Sequence, residues 1–65
     1  MSAIEDVEAN LPLVFTKSRD IWKAMGQWSP TRVRQCLEAL HAAGHCERIV
    51  RKTPTGIVHL YRKGA

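Results

Sequence analysis

The dipeptide Ser29-Pro30, followed by an apolar stripe that ends at Gly44, constrains this chain more than any other feature. A serine hydroxyl can cap a helix, and a proline in the first helical turn gives up an N–H that has no intrahelical partner there. From that start Val33, Cys36, Leu37, Leu40 and Ala43 recur on one helical face, and Gly44 supplies the left-handed stop. The pattern predicts a helix over 30–43. In a chain of 65 residues, 45% of them hydrophobic, there is material for one core, and this helix has to be its spine.

The flanking segments are organised around that helix. Ser2-Ala3-Ile4-Glu5 has the spacing of a capping box, and Ile4, Val7 and Leu11 then lie on one face, which predicts a short acidic helix over 3–10 ended by Pro12. Leu13 to Thr16 is apolar and β-prone, too short for a helix, and reads as an extended connector or a short strand. Ser18 is placed to cap a second helix over 19–25, with Ile21, Trp22 and Met25 on its apolar face and Gly26 at its end. Beyond Gly44 the period changes. With Thr53-Pro54-Thr55-Gly56 as a turn, 46–52 and 57–63 fold back as an antiparallel hairpin with Lys52 opposite Ile57. Ile49, Val58 and Leu60 then share one face, taken as the inner one. Arg48, Val50, His59 and Tyr61 share the other, taken as the outer one.

The fold class predicted is α+β, one domain over 1–65: three helices followed by a two-stranded hairpin, with a short extra strand at 13–16 as an option. In this order the elements resemble a winged helix-turn-helix domain of the kind found in small bacterial and phage transcriptional regulators. The resemblance spans about residues 4–63. It rests on Ile21, Ala24, Met25 and Gly26, on Ser29-Pro30-Thr31, on Val33, Leu37, Leu40 and Gly44, and on Cys46-Glu47-Arg48-Ile49 entering the wing. Two departures stand out. Trp22 occupies a place where many members carry a small residue, and Trp28 lengthens the turn, either as a lid over the core or as an exposed contact.

The resemblance implies double-stranded DNA as the partner, with the third helix in the major groove and the wing on the adjacent backbone or minor groove. On the face of that helix opposite its apolar stripe lie Thr31, Gln35, Glu38 and Ala42, flanked by Arg34 on one side and Arg32 on the other, and the expected base contacts are Thr31, Arg34, Gln35 and Glu38. Backbone contacts are expected from Lys17, Ser18 and Arg19 before the second helix, from Ser29 and Arg32, and from Arg51, Lys52, Thr53 and Thr55 around the wing tip. Charge agrees: residues 1–16 hold Glu5, Asp6 and Glu8 and no Lys or Arg, while residues 17–65 hold all ten basic residues, for a net +4. A plainer reading of Arg34 and Glu38, four apart, is a solvated ion pair on the helix surface.

Other chemistries find little support. The histidines and cysteines lack the spacing of a zinc site, no glycine loop cradles phosphate, and a chain this short encloses no cleft in which to desolvate a catalytic group, so neither metal, cofactor nor enzyme activity is expected. No apolar run is long enough to span a bilayer and no leader pattern opens the chain, so the expectation is a cytoplasmic protein with reduced Cys36 and Cys46. A homodimer on paired half-sites is one expectation. The alternative function is a winged-helix module docking on polymerase, a replication factor or another protein through the first helix or through Val50, Ile57 and Tyr61 on the outer face of the wing.

Overall fold

Helix α3 (Pro30–Ala42) forms where its signals place it in the computed structural model, which describes residues 2–64 and leaves the two end residues of the expected domain outside the description. Ser29 Oγ accepts the Arg32 N–H at 3.2 Å, and Pro30 fills the first turn. At the other end the His45 N–H donates to the Leu40 carbonyl at 2.9 Å and the Gly44 N–H to that of His41 at 3.0 Å. With Gly44 at φ 83°, this is a Schellman closure, and it ends the helix one residue before the predicted boundary.

Helix α1 (Ala3–Ala9) is likewise capped as expected, the Ser2 hydroxyl accepting the Glu5 N–H at 3.3 Å. Helix α2 (Ser18–Met25) departs by one residue at its start. Ser18 is not the cap: Lys17 holds the cap position, makes no side-chain cap bond, and keeps an extended backbone because it belongs to a strand, β1 (Thr16–Lys17). Gly26 at φ 73° stops the helix, its N–H donating to the Trp22 carbonyl.

Strands β2 (Cys46–Thr53) and β3 (Gly56–Lys63) form the hairpin with Lys52 opposite Ile57, as the turn requires. β1 adds to the free side of β3, Thr16 opposite Tyr61 and Lys17 opposite Leu60, giving an antiparallel sheet in the order β1-β3-β2. The extra strand therefore exists, but it overlaps the expected 13–16 only at Thr16. Leu13 and Val14 are 80% and 70% exposed, because the Lys63 N–H is tied to the Pro12 carbonyl at 2.7 Å and the connector bows outward before the sheet begins. This α+β layout, three helices and a three-stranded antiparallel sheet, is compatible with the winged-helix arrangement.

The expected assignment of inner and outer wing faces is reversed at its base. Tyr61 is fully buried and joins Cys46 in the core, so the side carrying Cys46, Arg48, His59 and Tyr61 faces the helices. Alternation separates the two faces but does not say which packs inward. Leu60, on the opposite face, is nonetheless also buried. On that face Ile49 lies directly opposite Leu60, and beside it the Arg62 guanidinium covers the Phe15 ring with 4.4 Å to its centroid.

The core gathers Ala3, Val7 and Leu11, then Ile21, then Val33, Cys36, Leu37 and Leu40, and is closed by Cys46 and Tyr61. Both cysteines are free and buried, and burial pushes the Cys46 thiol above its ordinary value. Trp28 packs on this core as a lid. Its indole N–H donates to Asp6 of α1 at 2.6 Å, while its carbonyl accepts the Trp22 indole N–H, so the longer turn is pinned at both of its polar groups. Trp28→Phe keeps the ring and removes the donor. It is expected to lower stability by about 1 kcal/mol in urea denaturation. Asp6→Ala, destabilising in the native background, is expected to cost much less once Phe stands at 28, the non-additivity of a shared contact.

Candidate nucleic-acid interface

Three segments meet at one side of the molecule: the start of α2, the first turns of α3, and the tip half of β3. Pairing of Lys17 with Leu60 draws the beginning of α2 against the sheet, and the short turn after Gly26 brings α3 back beside it. Between the two helix starts lies a cavity of about 440 Å³ lined by Ser18, Arg19, Trp22, Pro30, Thr31 and Arg34. A second, of about 330 Å³, is lined by Lys17, Ser18, Arg19, Arg34 and by Ile57, Val58 and His59 of β3. Ser18, Arg19 and Arg34 belong to both, so the two adjoin across these shared residues as a groove between the helix starts and the wing.

The groove's cations are uncommitted. Among the described residues the arginines in ion pairs are Arg48, with Glu38, and Arg62, with Glu47; Lys17, Arg19 and Arg34 form none. The plain surface pair between Arg34 and Glu38 does not form, because Glu38 is turned to the wing. Its Oε1 accepts the Tyr61 hydroxyl, its Oε2 accepts from Arg48 at 2.6 Å, and the His59 Nδ1 stands 3.8 Å from Oε1. Hydrogen bonding from Tyr61, assisted by Arg48 and working against partial desolvation, holds the Glu38 carboxyl below its ordinary 4.5. Burial, reinforced by the Glu38 carboxylate, pushes the Tyr61 phenol up to about 12.

Of the residues expected to contact DNA, Lys17, Ser18, Arg19, Thr31 and Arg34 are brought together in the groove. Glu38, expected at a base edge, is instead the joint between helix and wing, since both of its oxygens are occupied. Gln35 and Arg32 line a separate shallow depression against Ser2, Ala3 and Ile4 of α1. Ser29 Oγ accepts in the helix cap, and the residue is not among those lining the groove. At the wing tip the Thr53 hydroxyl sits 3.2 Å from that of Thr55 and donates to the Gly56 carbonyl at 2.9 Å, binding the turn to itself. Arg51 and Lys52 are exposed and, among the described residues, unpaired; they do not line the groove themselves but stand opposite Val58 and Ile57, which do. Trp22, Ile57 and His59 were not singled out for this site. Once Tyr61 points inward, alternation along β3 turns His59 and Ile57 to the same side, which is the signal that would have found them.

The apolar face proposed for protein docking is divided. Tyr61 is fully buried, whereas Val50 and Ile57 are 56% and 64% exposed. Among the described residues no three His, Cys, Asp or Glu side chains gather as metal ligands, and no helix is long and apolar enough to cross a membrane. His41 meets the Cys46 carbonyl at 3.1 Å, and His45 lies 3.7 Å from Glu8. Comparison with protein-family models, with curated proteins and with solved structures finds no match to the chain.

Tyr61 is the chain's single tyrosine, so phenolate absorbance reports it alone. In the folded protein its ionisation is expected near pH 12. The unfolded chain releases this proton first, near the ordinary value of 10, so stability is full below that value and falls as the pH climbs through the window between the two. Glu38 acts in the opposite direction: its contribution is present above 4.5 and is lost as the pH falls through the depressed folded value. Thermal melts of Glu38→Gln should lose part of the native protein's acid-side decline. With the Glu38 side chain 41% exposed, solvent screening limits the cost of this change at neutral pH to about 1 kcal/mol or less.

Proposed function

We propose that the protein is a winged helix-turn-helix regulator that binds double-stranded DNA and acts in the cytoplasm by occupying a promoter or operator. The observation that carries this reading is the convergence of Lys17, Arg19 and Arg34, none of them in an ion pair among the described residues, on one groove between two helix starts and the wing. A duplex presents phosphates along both walls of its major groove and base edges between them, and uncommitted cations at helix starts match that pattern. Thr31 and Arg34, near the start of α3, take the base edges. A guanidinium can bond guanine O6 and N7 in pairs, a contact that contributes about 1–3 kcal/mol of discrimination. Lys17, Ser18 and Arg19 take phosphates on one side, and Arg51 and Lys52, farther along the wing, take them on the other. Glu38 acts indirectly, by fixing the angle between α3 and the wing so that both can engage one duplex. Two copies on paired half-sites would raise the affinity that a single small module supplies.

A second reading, a module that docks on another protein, draws on the exposure of Val50 and Ile57. The two readings separate in a fluorescence-anisotropy titration against random-sequence duplexes at about 50 and 200 mM salt, where release of counterions makes a DNA binder steeply salt-dependent. The expected result is binding that weakens sharply between the two salts and enriches one motif. Absence of binding at both would discard the DNA reading in favour of docking. In the same assay Arg34→Ala should relax base preference at one position, whereas Lys17→Ala should weaken all sequences alike and reduce the salt slope by about 1.

A further inference from the structure

One residue of the groove does not belong with its neighbours. Ile57 stands at the tip end of β3, opposite Lys52, on the side of the sheet that Tyr61 turns toward the helices, and it is 64% exposed. Isolated exposed apolar side chains are ordinary on protein surfaces. Ile57 is not isolated: it lines the same cavity as Lys17, Arg19 and Arg34, three cations without ion-pair partners among the described residues. A simple anion would gain little from a sec-butyl group that excludes water from one wall of its site. What suits the combination is a ligand with negative charges set around an apolar spot. A DNA strand with a thymine has that pattern, since the 5-methyl group is the apolar feature of the major-groove edge and phosphates flank it.

We infer that Ile57 is a specificity residue that packs against a thymine 5-methyl group, so that the flank of the wing, and not only α3, reads sequence. The inference rests on the DNA reading above. The side chain suits the task, because β-branching stiffens it at χ1 and little rotamer freedom is lost when it is covered. The backbone is held just as firmly, by the Thr53–Gly56 turn on one side and the pairing with Lys52 on the other.

The test uses the full chain and the duplex enriched from the random pool, with each thymine replaced in turn by deoxyuridine, which removes the methyl group alone. The native protein, Ile57→Ala and Val50→Ala are compared, Val50 being an exposed apolar residue of the same wing that does not line the groove. Both substitutions are at exposed positions, and circular dichroism of each variant serves as the check that the fold is kept. At one position deoxyuridine should weaken the native protein and Val50→Ala about fourfold, the factor that one buried methyl-sized group supplies, and should leave Ile57→Ala unchanged. A penalty of equal size in the native protein and Ile57→Ala would overturn the contact. Weaker binding by Ile57→Ala with no deoxyuridine-sensitive position would assign Ile57 to deoxyribose and overturn it as well. Failure of the native protein to bind any duplex is a different result: it removes the DNA reading and the inference resting on it together.

Discussion

A single carboxylate holds the two halves of this molecule in register. Glu38, on the exposed flank of α3, accepts from Tyr61 on β3 and from Arg48 on β2, two residues that lie directly opposite one another in the hairpin. The arrangement lets a tyrosine ring be buried completely in a chain with little core to spare, because its hydroxyl keeps a partner. A phenol buried without one would cost about 1–3 kcal/mol, a sizeable fraction of the stability of so small a domain. Removing Glu38 from competition for Arg34 has a second effect. A cation that would otherwise be neutralised one turn away on its own helix remains free beside Lys17 and Arg19.

The features that sequence reasoning located well are those set by local chemistry. Ser29, Pro30 and Gly44 specify both ends of α3 within a residue, since caps and left-handed stops act on the backbone atoms beside them. The hairpin register followed from Thr53-Pro54-Thr55-Gly56 for the same reason. What was misplaced depends on contacts distant in the chain. Ser18 looked like a cap until β1 paired with β3 and carried the extended backbone as far as Lys17. The wing faces were exchanged because tyrosine ranks as amphipathic, and nothing near Tyr61 reveals that an acceptor waits on α3, 23 residues earlier. The part Glu38 plays between helix and wing was hidden for the matching reason, its helical position being equally suited to a base edge and to a half-exposed joint.

The candidate site was legible in part by the same rule. Lys17, Ser18 and Arg19 could be grouped because they are consecutive, and Arg34 and Thr31 because they share a helix face. That these two sets form one groove with Ile57 and His59 needed the sheet order, in which β3 sits between β1 and β2 and brings the wing against the beginning of α2. The basic residues at the wing tip, Arg51 and Lys52, border that meeting point across the hairpin without lining it.

The central strand of the sheet is also the last of the six elements along the chain, and this sets an order in time. A polypeptide made from its N-terminus produces three helices and β2 before Tyr61 exists. Until then β1 has no partner for its backbone and Glu38 lacks the Tyr61 hydroxyl. The helices can pack on one another before that, but the pairing of β1 and the bond between Tyr61 and Glu38 wait for β3. The three-stranded sheet and the groove wall that β3 supplies therefore come into being only with the last of these elements, after the residues of the helical core are already in place.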